Sequence, residues 1–171
     1  MDITIQYKYV KHDVDNWTYR LSEMANTEDG KRKAMGQSDD SPTDATFIRR
    51  KIGEAMVELR LLLDERLESL TAPDEANDTL DKEQAEWVMT LTDDDRTASA
   101  AEVATLAHRY VVRYVLWCWC LIYFGNMAST FYQEMTAIAD EIKQAAYKRT
   151  PPRKYKRKPW TDVDELIVET R

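Results

Sequence analysis

Apolar and polar residues alternate at the start of the chain. Ile3, Ile5, Tyr7 and Tyr9 are separated by single polar residues. A period of two is typical of a half-buried β-strand, so the pattern predicts a strand over residues 3–9.

The apolar spacing then changes to three and four residues. Val14, Trp17, Leu21 and Met24 follow this spacing, which predicts a short helix with Asp13 as its N-cap. Residues 26–42 are polar and contain two glycines, so we expect a loop there.

A longer amphipathic pattern extends over residues 44–70. Its apolar stripe comprises Ile48, Ile52, Ala55, Met56, Leu59, Leu62, Leu63, Leu67 and Leu70, with Arg66 in the same spacing. This predicts a second helix about 40 Å long, which ends before Pro73.

Residues 74–95 are acidic, and their pattern supports two interpretations. Over 79–91, Leu80, Gln84, Trp87 and Leu91 fit a helix, whereas Trp87, Met89 and Leu91 fit a strand. We favour a short helix that leads into an extended segment.

Two further helices are predicted in the second half of the chain. Thr97 to Phe124 forms the first, and it is apolar on all sides from Tyr114 onward, so we expect it to lie at the centre of the fold. Gly125 and Asn126 tolerate left-handed backbone geometry and predict a break. The last helix ends near Thr150, and its apolar stripe is Phe131, Met135, Ile138, Ile142 and Ala145.

These elements predict a mainly α fold, a helical bundle around a long central apolar helix, with a small β element from the N- and C-terminal segments. Val163 and residues 166–168 would form a last strand that pairs with the first. We divide the chain into a helical bundle domain with its N-terminal strand, 1–147, and an extended basic arm with a C-terminal strand, 148–171.

Charge is unevenly distributed along the chain. The formal net charge is −7, yet eight basic residues and no acidic ones lie between Lys143 and Lys158, so the remainder has a charge of −15. We call residues 148–160 the basic arm; its three prolines favour an extended conformation. The candidate partner-binding residues of this arm are Lys148, Arg149, Arg153, Lys154, Tyr155, Lys156, Arg157, Lys158 and Trp160.

Three roles for the basic arm stay open on sequence grounds. It could be a solvated linker, a segment that docks on an acidic protein surface, or a phosphate-backbone binder. The acidic remainder of the chain disfavours the last, because it would repel a polyanion.

The sequence contains no pattern that predicts catalysis or a cofactor. Cys118 and Cys120 lie two residues apart on a predicted helix, where they can neither form a disulfide nor match zinc-ligand spacing, so we expect reduced thiols and synthesis in the cytoplasm. His108 has no sequence neighbour that marks it as a general base. We therefore predict no catalytic, cofactor-binding or metal-binding residues and a protein that is not an enzyme.

Residues 114–133 contain no charged side chain and reach membrane-spanning length. The polar residues in their second half and the preceding Arg113 favour a buried helix or a subunit interface instead. We expect no membrane partner.

The arrangement of amphipathic helices 44–70 and 97–148 followed by the arm 148–160 resembles bacteriophage head–tail connector (adaptor) proteins. The resemblance is one of architecture and implies a small helical subunit that forms a ring and engages a neighbour through an extended arm. It also implies that the chain is found in the virion.

The sequence thus predicts a structural subunit of a homo-oligomeric assembly, with itself and a second, acidic assembly protein as partners. The alternative is a nucleic-acid-binding or regulatory helical module that uses the same arm. Binding to DNA that weakens linearly with the logarithm of salt concentration would favour the alternative.

Overall fold

A computed structural model of the chain describes residues 2–24, 42–73, 85–92 and 100–147. Within them, four α-helices and a three-stranded sheet confirm the mainly helical class with a small β element. In chain order, the elements are β1 (Asp2–Gln6), α1 (Tyr7–Met24), α2 (Pro42–Leu62), β2 (Leu67–Thr71), β3 (Glu86–Leu91), α3 (Ala100–Tyr123) and α4 (Gly125–Ala146), with a short 3-10 helix at Asp64–Arg66.

Helix α3 is the centre of the bundle, as predicted, and it packs against α1, α2 and α4. Its contacts define the direction of its neighbours. Arg109 and Arg113 of α3 pair with Glu141 and Glu134 of α4, so α4 runs antiparallel to α3. Helix α1 runs parallel to α3, because Asp13 meets His108 and, one turn further on, Trp17 meets Arg113.

The sheet has the strand order β1-β3-β2, and both neighbouring pairs are antiparallel. The central strand β3 buries Trp87, Met89 and Leu91, whereas the residues between them are less buried. The strand interpretation is therefore confirmed for 86–91, and the helix that we favoured at the start of this segment lies outside the described residues.

The N-terminal strand is shorter than predicted. It ends at Gln6, and α1 begins at Tyr7, so the expectations of a strand through Tyr9 and a helix capped by Asp13 were wrong. The reason lies in spacing, since Tyr7, Val10 and Val14 are three and four residues apart and are all buried on one face of α1.

Helix α2 is also shorter than predicted, because Leu67 and Leu70 belong to strand β2 and not to the helix. The helix has 21 residues, about 32 Å, instead of 40 Å. Strand β2 returns along α2 and pairs with β3, with a register irregularity between Leu67 and Ser69. Local periodicity could not reveal this pairing, since the partner strand lies about 20 residues further along the chain.

The connection between α3 and α4 is a single residue, Phe124. Its amide donates a hydrogen bond to the Cys120 carbonyl at 2.7 Å, and its side chain is buried. No described residue has a positive φ, so the left-handed geometry expected at Gly125 and Asn126 was wrong. The break was predicted one residue too late, because it lies at Phe124 and Gly125 already belongs to α4. The apolar stripe of α4 is buried as predicted.

Some predictions fall outside the described residues. They are the loop 26–42, of which only Pro42 is described as the start of α2, the last strand 163–168 with its pairing to the first strand, and the segment 148–171 as a whole.

Candidate interaction surfaces

The nine predicted partner-binding residues, from Lys148 to Trp160, lie outside the described residues. The structure does place the residue that precedes them. Tyr147 lies at the end of α4 in a shallow cleft with Leu61, Asp64 and Glu65, and its ring is 5.5 Å from the guanidinium of Arg66. Tyr147, the residue that precedes the basic arm in sequence, therefore lies at the C-terminal ends of α2 and α4.

The opposite end of the bundle exposes apolar side chains. Leu121, Ile122 and Tyr123, which we call the hairpin end, form the last turn of α3 and are 56%, 61% and 49% exposed. They lie within the uncharged span between Arg113 and Glu134. Large exposed apolar side chains in an uncharged setting are typical of protein–protein contact surfaces.

Aromatic rings extend this surface along one side of the α3–α4 hairpin. The rings of Trp117 and Tyr132 lie 5.4 Å apart across the two helices, and Tyr114 meets Trp117 edge to face at 5.6 Å. Tyr132 is half exposed, whereas burial raises the pKa of Tyr114 to about 12. Aromatic residues of this kind are enriched in interfaces because they combine a large apolar area with a polar group.

The two cysteines are free thiols on α3. Cys120 is buried, and burial raises its pKa to about 11; burial likewise raises the pKa of Cys118. A raised pKa disfavours the thiolate, which is the nucleophilic and metal-binding form. Cys120 belongs to the buried core, and the described residues contain no group of three or more potential metal ligands.

A polar layer lies between α1, α3 and α4. The guanidinium of Arg113 lies over the rings of Trp17, at 4.3 Å, and Phe131, at 5.6 Å, and these rings meet edge to face. Arg113 Nε is 2.7 Å from Glu134 Oε2, but Arg113 Nη1 is buried without a hydrogen-bond partner. The Arg113 side chain is therefore held mainly by the charge of Glu134 and by the two aromatic rings, and less by hydrogen bonds of good geometry.

His108 lies five residues before Arg113 on α3, and its Nε2 atom is 2.9 Å from Asp13 Oδ2. A carboxylate can only accept, so Nε2 carries the donated proton. Sequence reasoning did not find this partner, because it is 95 residues away. The contact joins α1 to α3.

A groove of about 670 Å³ separates α2 from strands β2 and β3. Its apolar lining includes Met56, Val57, Leu70 and Trp87, and its charged lining residues are Arg49, Arg50 and Glu54. The sequence did not predict this groove, because one of its two sides is formed by β2, whose return along α2 local periodicity does not reveal. The exposure of the hairpin end was likewise missed, since an apolar run on all sides of a helix predicts burial.

In the part of the chain that the structure describes, no helix combines the length and hydropathy that a membrane span requires. Comparisons of the chain with protein-family models, with curated proteins and with solved structures give no match.

Proposed function

We propose that this chain is a structural subunit of a homo-oligomeric assembly that uses the hairpin end as a contact between subunits. In the specific form that the architectural resemblance suggests, the assembly is the neck of a bacteriophage virion. The basic arm then docks on an acidic surface of a neighbouring assembly protein.

The observation that supports the proposal best is the exposure of the hairpin end. In a chain with 32% charged residues, three consecutive large apolar side chains are about half exposed, and no charge occurs between Arg113 and Glu134. Water contact with this surface is unfavourable by about 25 cal/mol per Å² of apolar area. Burial against another subunit would remove that cost.

The positions of the hairpin end and the arm also support a subunit with two partners. The hairpin end precedes α4, and the arm follows it. Helix α4 has 22 residues and is about 33 Å long, so the hairpin end and Tyr147, the residue before the arm, lie at opposite ends of the bundle. One end can contact a like subunit while the other reaches a different protein.

Native mass measurement of the full chain and of two matched variants tests the proposal. Ile122→Ser removes an apolar side chain of the hairpin end, and Leu61→Ser removes one of similar exposure, 66%, from α2. We expect the wild type to be larger than one chain by light scattering, Ile122→Ser to shift toward the single-chain mass, and Leu61→Ser to behave as the wild type. A monomeric wild type at every concentration, or equal behaviour of the two variants, would contradict the proposal.

A further inference from the structure

The groove between α2 and the sheet has the features of a peptide-binding site. Met56 and Trp87 form a buried apolar floor, whereas Val57 in its wall is 54% exposed. Of the charged residues in its lining, Arg49 and Arg50 are positive and Glu54, which lies 3.6 Å from Arg50, is negative, so positive charge is in excess. A ligand that fits this lining has apolar side chains flanked by carboxylates.

Strand β2 adds a backbone component to the site. In the described sheet it pairs only with β3, so its outer edge has no strand beside it. An edge strand presents unpaired N–H and C=O groups, and an extended peptide can add to them as a further strand.

The chain contains one segment outside the described residues that matches this chemistry. Segments 25–41 and 74–84 each have a single large apolar residue, Met35 and Leu80, and 93–99 has none. In contrast, residues 162–168, Asp-Val-Asp-Glu-Leu-Ile-Val, combine four apolar side chains with three carboxylates.

We infer that residues 162–168 of the same chain bind in this groove as an extended segment beside β2, with their carboxylates toward Arg49 and Arg50. Chain length allows it. The segment is tethered at Tyr147, which lies beside Leu61, and Leu61 is eleven residues or about 17 Å along α2 from Arg50. The 14 intervening residues span up to about 43 Å when extended, so the arm can leave the bundle and return.

Tethering also favours the chain's own segment over that of a second copy. A short linker gives an effective concentration in the millimolar range, which a separate chain does not reach at ordinary protein concentrations. Under this inference the basic arm, with its seven positive charges, connects two attached points, Tyr147 and residues 162–168. This inference is independent of the proposed function, because it holds for a monomer as well as for an assembly.

Amide hydrogen exchange of the full-length chain tests the inference. We expect the amides of 162–168 to exchange at least tenfold more slowly than those of an unstructured chain. Val57→Glu places a negative charge in the groove wall and should abolish this protection. Leu61→Glu is the matched control, since it adds the same charge one turn further along α2, outside the groove, and should leave the protection unchanged.

Three results would overturn the inference. The first is exchange of 162–168 at the rate of an unstructured chain in the wild type. The second is an equal response to Val57→Glu and Leu61→Glu. The third is protection that falls when the protein is diluted from about 100 to about 1 µM, which would assign the groove to another copy's segment. Native mass, measured on the same samples, reports separately on assembly.

Discussion

Two parts of α3, residues 108–113 and the last turn, differ in whether their side chains contact neighbouring helices or face outward. Between His108 and Arg113, the side chains of His108, Arg109 and Arg113 each meet a carboxylate of a neighbouring helix, and the apolar residues Val111 and Val112 are buried. In the last turn, Leu121 and Ile122 face outward although they are as apolar as the core.

Under the proposed function, this difference separates residues that stabilise the fold from residues that contact another subunit. The first part contains the charged contacts that join α1 and α4 to α3. We expect the last turn to contribute little to the fold of one chain, because its large apolar side chains are about half exposed.

The largest expected effect contrasts a buried and an exposed leucine of α3. Leu116 is fully buried, so Leu116→Ala should lower the free energy of unfolding by about 2–5 kcal/mol through lost burial and a new cavity. Leu121→Ala should change it by less than about 1 kcal/mol. Urea unfolding at one fixed protein concentration measures both, and a large loss for Leu121→Ala would show that the last turn supports the fold.

The next effect concerns the polar layer. Arg113 is only 19% exposed, and Arg113→Ala would leave Glu134 without its cation and the rings of Trp17 and Phe131 without their covering group. We expect a loss of about 1–3 kcal/mol in the free energy of unfolding. Arg109 is the control, because its pair with Glu141 is exposed and 3.8 Å apart, so Arg109→Ala should cost less than about 1 kcal/mol. Equal losses would mean that burial does not strengthen the Arg113 contacts.

Prediction from sequence was most successful where a helix is long and its apolar stripe regular. The stripe of α4 and the central position of α3 follow from spacing alone, since residues three and four apart share a helix face. The same reasoning failed at Leu67 and Leu70, whose spacing continues that of α2. There, pairing with a distant strand outweighs local periodicity.

The candidate surfaces were less predictable than the fold. The contacts of His108 and Arg113 join helices that are far apart in sequence, so no local pattern announces them. The exposure of Ile122 depends on where the neighbouring helices end, which spacing does not encode. Only the charge of the basic arm, a property of composition, could be identified in advance, and its role stays a prediction.

The smallest expected effect is the coupling between Asp13 and His108. Their side chains are 46% and 27% exposed, so water and salt compete for the 2.9 Å contact. A double-mutant cycle with Asp13→Ala and His108→Ala should give a coupling of about 0.2–1 kcal/mol that decreases as salt is added. A coupling above about 2 kcal/mol would show that this surface contact fixes α1 on α3 as firmly as the polar layer does. Zero coupling at low salt would mean that the Asp13–His108 contact does not help to orient α1 on α3. The contact between Trp17 and Arg113, in the turn of α3 around Arg113, would then be the one that orients α1.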